Sequence, residues 1–244
     1  MARDEEHQRV PGREYESADL STLLASYVLL FGLMGKLFYS YPDFTWIHSL
    51  ITEGVFEDIP IVDSTSEMCS GQDMLLQWSK ESGSGFSTDM FEDIEADYVR
   101  LFISGNKSVL APPWESVFVN ADPTLFQHST MSVRYWYRRF GLEIENLHHE
   151  PDDHIGLECA FISHLFAIAL THANTPNEAI LHETINEITQ FTTQHVFIWA
   201  PHWCDLVIEN SRTKLYRGAG WFTKGILISL ADFLNVDIDI KVYR

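Results

Sequence analysis

The sequence predicts an all-α protein built as one domain, and three observations carry that expectation. Apolar residues recur at helical spacing in segment after segment of the chain. Only the terminal VDIDIKVYR alternates like a strand, and one strand without a partner makes no sheet. At 244 residues, 45% hydrophobic and 13% aromatic, the chain is long and apolar enough to bury a core and unlike a disordered one. No internal repeat of solenoid-like period is present.

Taken in order, residues 1–16, MARDEEHQRVPGREYE, are polar and charged and read as a flexible N-terminal tail without an apolar signal core. The helical domain then spans 17–244. From Ser17, a good N-cap, Leu20, Leu23, Tyr27, Leu30, Met34 and Leu37 repeat on one helical face. The charge-free stretch from Leu20 to Gly35, interrupted by Ser21, Thr22 and Ser26, is short for a bilayer span of ~20 residues. No stable membrane insertion is therefore expected. Asp43 to Ile51 suggests a second helix, and GVFEDIPIVDSTS a connector. SEMCSGQDMLLQWSKES reads as a helix that SGSG at 82–85 ends. FSTDMFEDIEADYVRLFISG carries Met90, Ile94, Tyr98, Leu101 and Phe102 on one face and closes at Gly105.

APPWESVF is too proline-rich for a helix interior and is expected to be an ordered loop. Asp122-Pro123 starts a helix through LFQHSTMSVRYWYRRF, which Gly141 stops. Glu150-Pro151 opens a long one, IGLECAFISHLFAIALTHA, apolar nearly all round and so central. Pro176 starts the next, from NEAILHETI to TTQHVFIWA, punctuated by Pro201. A last helix covers Lys214 to Leu234.

The formal net charge of −19 repels nucleic-acid phosphates and favours cationic partners, so no nucleic acid is expected. Cys69, Cys159 and Cys204 lie far apart without a CxxC pair, which fits reduced thiols in a cytoplasmic protein.

The densest chemistry lies in HHEPDDHIGLE, residues 148–158, with three histidines and four carboxylates. His148, His149, Glu150, Asp152, Asp153, His154 and Glu158 are all acceptable zinc or iron ligands, and His154 and Glu158 share a helical face. This makes a helical metal-dependent hydrolase the alternative reading. The spacing, however, matches neither HExxH nor the paired Glu-x-x-His of di-iron bundles. After Pro151, Asp152 and Asp153 equally suit a first helical turn, where acids complement the dipole. His202 and Cys204, flanking Trp203, are a poor ligand set. No GxSxG elbow, Walker A loop or GxGxxG is present. Arg138 and Arg139 place cations at a helix C-terminus. In APPWESVF, Trp114 and Glu115 set an apolar plate beside an acid on a stiffened backbone, though the same loop can plug Trp114 into the core.

Three segments in order, DYVRLFISG at 97–105, APPWESVF at 111–118 and EPDDHIGLE at 150–158, resemble the TorD/DmsD/NarJ family of cytoplasmic redox-enzyme maturation chaperones. The family's pattern is an aromatic-x-x-Leu-Phe helix end, a proline–tryptophan loop and a Glu-Pro-x-Asp-His helix start. The resemblance extends through WAPHWCDLV and the final helix, roughly residues 88–235, and suits the first helix from Ser17 to Ser40. The tail before Ser17 and the connector near 55–70 show no match.

The resemblance implies a TorD-like helical bundle that is not an enzyme and carries no cofactor. It implies binding of the twin-arginine signal peptide of a molybdopterin-containing oxidoreductase, whose apo catalytic subunit is held until cofactor insertion and then released for export. Such chaperones are monomers or homodimers, some of them domain-swapped. By position, the peptide-binding residues carry over to Leu101, Phe102, Pro113, Trp114, Pro151, Asp153 and His154. Two guanidinium groups beside an apolar segment need carboxylates next to an apolar groove. Asp153, reinforced by Asp152, Glu150 and Glu115, supplies the acids in this expectation. Tyr98, Leu101, Phe102 and Trp114 supply the groove, and His154 orients Asp153 by a hydrogen bond.

Overall fold

A computed structural model of the chain describes residues 7–10, 13–60, 65–83, 85–103, 109–119, 128–143, 151–173 and 178–238. The described helices are, in order, Ser17–Tyr39 (α1), Phe44–Thr52 (α2), Ser66–Gly83 (α3), Thr88–Phe102 (α4) and Glu115–Val119 (α5). They continue with His128–Arg139 (α6), Ile155–Ala173 (α7), Glu178–Phe191 (α8), Ala200–Asn210 (α9) and Lys214–Phe233 (α10). The fold is all-α, as the periodicity predicts, apart from one short antiparallel hairpin. That hairpin pairs His7–Val10 (β1) with Arg13–Glu16 (β2) inside the segment the sequence suggests to be a tail.

The two long apolar helices, α1 and α7, make the most extensive contact among the described elements. Glycines permit their close crossing. A Cβ on Gly156 would lie 2.6 Å from Tyr39 Cβ and 2.8 Å from the Gly35 carbonyl, so any larger residue would push the helices apart. Tyr27 stacks on Phe166 with centroids 4.7 Å apart, filling the seam. By length and composition both helices could cross a bilayer, with mean hydropathy 1.6 over Asp19–Tyr39. The span Asp19–Tyr39 is longer than the charge-free stretch from Leu20 to Gly35 because it takes in Asp19 and Lys36. Here the two helices cover each other's apolar faces.

A second glycine crossing joins α3 to α10, where Gly71 meets the Phe222 backbone and Gly225 that of Met68. Side-chain caps fix several helix starts. Asp43 accepts the Trp46 N–H at 2.8 Å, Ser87 that of Met90 at 3.3 Å, and Thr213 that of Tyr216 at 3.4 Å. Gly141, at φ +71°, ends α6 as predicted.

Elsewhere the chain departs from the sequence reading. The long helix after Pro151 begins four residues later, at Ile155. APPWESVF is extended only to Trp114 and then forms α5. The predicted helix through Ala200 breaks at a π-helical turn, Thr192–Val196, after which Pro201 opens α9 instead of closing its predecessor. The predicted helix start at Asp122-Pro123, the end at Gly105, and residues 239–244 of the terminal alternating segment lie outside the described residues. Val236–Ile238 have no regular structure.

Candidate functional site

The two proline-containing motif segments lie side by side. Trp114 and His154 form an isolated antiparallel bridge, with the Glu115 N–H donating to the Asp153 carbonyl at 3.0 Å and the Ile155 N–H to the Pro113 carbonyl at 2.8 Å. Pro113 has no N–H to offer and takes part through its carbonyl, so the donors are the Glu115 and Ile155 N–H groups.

Each acid of this junction already has its own task. Asp153 is fully buried. One of its oxygens accepts the Ser116 N–H at 2.8 Å, capping α5, and the other accepts the Thr130 hydroxyl at 2.8 Å, which ties in α6. Asp152, also buried, receives a two-pronged arginine contact, but from the chain's own Arg134, whose Nε and Nη2 lie 2.6 and 3.0 Å from its oxygens. The Tyr137 hydroxyl donates to the Asp152 carbonyl at 3.1 Å.

His154 does not orient Asp153, contrary to expectation. Its Nδ1 accepts the Gly156 N–H at 3.0 Å, so the ring caps α7, and its nearest aromatic neighbours are Tyr39 and Trp114. Burial pushes its pKa down to about 3, which keeps the ring neutral with its proton on Nε2.

Behind the bridge lies a buried acid–histidine network. A Glu115 oxygen sits 3.0 Å from His195 Nδ1, and His195 Nε2 lies 3.1 Å from the Ser132 hydroxyl. Burial pushes the Glu115 carboxyl up, and the His195 ring opposes that shift. Glu158, fully buried on α7, is pushed well above the ordinary carboxyl range by burial and then by Glu115 and Asp153. The Trp199 indole lies close enough to oppose that shift, but no hydrogen bond of full geometry reaches either carboxyl oxygen, which suits a protonated, neutral group.

The helix-end residues reach the same region from below. The Tyr98 hydroxyl donates to the carbonyls of Phe38 and Tyr39 at 3.1 and 3.2 Å, and the Leu101 carbonyl accepts the Ala111 N–H at 2.9 Å. Phe102 packs against Phe38, Tyr98, Trp203 and Tyr216. Tyr98, Leu101, Phe102, Pro113, Glu115, Pro151, Asp153 and His154 are thus brought into one region, and all eight are buried. Trp114 is the half-buried member.

Of the 148–158 cluster, His148, His149 and Glu150 lie outside the described residues. Asp152, Asp153, His154 and Glu158 diverge toward separate surroundings, and no group of three metal-binding side chains converges among the described residues. Sequence reasoning missed Thr130 and Arg134, both on α6, and His195 in the π-helical turn, which lie far along the chain from the acids they meet and carry no spacing signal. It also missed buried Asp97, which accepts the N–H groups of Arg212 and Thr213 at 2.9 and 2.8 Å and fixes the start of α10.

Residues 72–205, more than half of the chain, match the family described as Nitrate reductase delta subunit. Over 156 residues the chain is 28% identical to the Tat proofreading chaperone DmsD of Salmonella typhi, covering 64% of this chain and 69% of that protein. It is 23% identical to the chaperone protein TorD of Aliivibrio fischeri over 146 residues, 60% of this chain and 63% of TorD. A crystal structure of a redox enzyme maturation protein from Archaeoglobus fulgidus aligns at TM-score 0.48 and 20% identity, over 81% of this chain and 91% of that one. The chain belongs to the nitrate reductase delta subunit family, the TorD/DmsD/NarJ group that its three ordered motifs resemble.

Proposed function

We propose that this chain is a cytoplasmic maturation chaperone for an exported redox enzyme. It binds the twin-arginine signal peptide of an apo molybdopterin-containing oxidoreductase, holds the precursor until its cofactor is inserted, and then releases it for export. It does so as one helical domain, from residue 17 to 244, without catalysing a reaction. The observation that carries this reading is the pairing of the Pro113–Glu115 and Pro151–His154 segments through the Trp114–His154 bridge, which joins the motifs most specific to the family. The similarity to Tat proofreading chaperones and the net charge of −19, suited to a doubly cationic peptide, support it further.

In this reading Trp114 contacts the peptide. Tyr98, Leu101, Phe102, Pro113, Glu115, Pro151, Asp153 and His154 form the rigid floor that sets the shape of the site. Calorimetric titration with a synthetic twin-arginine leader tests the reading. Replacing both leader arginines by alanine weakens binding by several kcal/mol at most, at ~1.5–3 kcal/mol per charged contact. Replacement by lysine also weakens it, because an ammonium cannot make the bidentate fork. Equal affinity for the native and di-alanine leaders would overturn the reading.

A further inference from the structure

The floor residues are buried, so a peptide meets the protein on a surface beside them. An aromatic cluster occupies such a surface where α2 meets the start of α4. Phe44 lies 5.2 Å from Phe86 and 5.3 Å from Phe91, and His48 stacks on both Phe44 and Phe86 at 6.0 Å. Soluble proteins rarely gather large apolar groups at the surface without use for them. Here Phe44 is 39% exposed and Tyr41, just before it, 51%.

The cluster continues along α4 as an i, i+4, i+8 stripe of Phe91, Glu95 and Val99, the last 39% exposed. It also joins the candidate site. The Tyr41 ring packs edge-on against Tyr98 at 5.6 Å, and the Tyr98 hydroxyl donates to the carbonyl of Tyr39, whose own ring packs on His154.

The charge of this face selects its partner. Helix α2 carries no lysine or arginine and is capped by Asp43. Helix α4 sets Glu95 in the stripe and Glu92 beside it, whereas Asp93 turns to another side, into a cleft it lines with Trp78, Arg212 and Lys214; the one cation of α4, Arg100, is held by Asp97 and the Asn210 carbonyl. Aromatic faces flanked by carboxylates, here Asp43, Glu92 and Glu95, attract guanidinium groups by cation–π and ion-pair contacts, while the exposed rings and Val99 take an apolar segment.

We propose that the face formed by Tyr41, Phe44, Phe86, Phe91, Glu95 and Val99 is the docking surface for the arginine-bearing apolar signal segment. This rests on the chaperone reading above and adds a binding surface outside the three family motifs apart from Val99. The segment lies along α4, its arginines near the carboxylates and its apolar residues over the rings.

The test uses the full chain and a fluorescent twin-arginine leader, with affinity read by anisotropy and fold by circular dichroism and melting. Glu95→Lys, a surface charge reversal, lowers the affinity by about tenfold or more while the melting temperature holds. Phe44→Ser lowers it comparably. Leu29→Ser, at an exposed position on α1 at least ~15 Å along the helix from Tyr39, leaves it unchanged. If the native chain binds the leader and Glu95→Lys binds it equally well, the surface assignment is overturned and the chaperone reading stands. A native chain that binds no leader overturns both. Loss of self-association in Phe44→Ser with unchanged leader affinity would give the face to a second copy of the chain and equally overturn the assignment.

Discussion

Replacing Asp153 separates a structural carboxylate from one that reads arginine. Its two oxygens accept the Ser116 N–H and the Thr130 hydroxyl, each at 2.8 Å, inside a fully buried pocket. Asp153→Ala strands both donors. At ~1.5–3 kcal/mol for each charged hydrogen bond, with partial relaxation, the loss is about 3–5 kcal/mol of stability.

Asp153→Asn behaves differently. The amide oxygen can keep the Ser116 N–H, and the amide NH2 can donate to Thr130, whose hydroxyl reverses its role. The charge is lost, but so is its repulsion of Glu115 and Glu158, which Asp153 pushes up. The net cost is about 1 kcal/mol. Because the carboxylate has no exposed surface, leader affinity changes by less than ~threefold, about 0.6 kcal/mol. Urea unfolding and leader titration on both variants decide the matter. If Asp153→Asn weakens the leader by about tenfold with unchanged stability, the carboxylate touches the arginine and the structural assignment fails.

Glu158 carries a pH signature. Its carboxyl is raised above the ordinary value of 4.5, so the folded state holds a proton that the unfolded chain gives up. Stability is then lost as pH rises above that ordinary value toward the raised one. Glu158→Gln removes this loss, so its melting temperature relative to native rises between pH 5 and pH 8, and parallel curves would refute it. Arg134→Ala leaves buried Asp152 without its partner and costs about 2–4 kcal/mol, discounted for the partial exposure of the guanidinium. Arg134→Lys recovers only part of this in urea unfolding, since one ammonium cannot replace the two-pronged contact. Gly156→Ala sets a methyl 2.6 Å from Tyr39 Cβ and lowers stability by about 1–3 kcal/mol, and an unchanged melting temperature would deny the tight α1–α7 crossing.

The elements that the sequence made legible are those with strong local signals. The second helix suggested from Asp43 to Ile51 and the face of Ile94, Tyr98 and Leu101 sit where the local pattern puts them. Local signals failed where tertiary contacts decide. Nothing before Phe197 marks the π-helical turn, in which the Phe197 N–H reaches back to the Thr192 carbonyl at 2.8 Å. Pro151 is a good first-turn residue, yet the backbone stays extended to His154 because Pro113 and Glu115 pair with it there.

The site shows the same division. The motifs near Trp114 and Asp153 are readable as a pair, but the roles of their atoms are not. Asp152 and Asp153 are indistinguishable in the sequence, whereas in the fold one binds Arg134 and the other Ser116 and Thr130, both partners brought by α5 and α6. The surface Phe44–Phe86–Phe91 cluster was equally hidden, because its rings come from separate segments and only two lie within helices.

Hydrogen–deuterium exchange of the full chain, alone and with saturating native or di-alanine leader, tests the central claim most directly. The account predicts that the native twin-arginine leader slows exchange in residues 41–52, 88–102 and 111–119, and that the di-alanine leader at equal concentration does so far less. Identical exchange with both leaders, or protection confined to helices away from α2, α4 and α5, would contradict it.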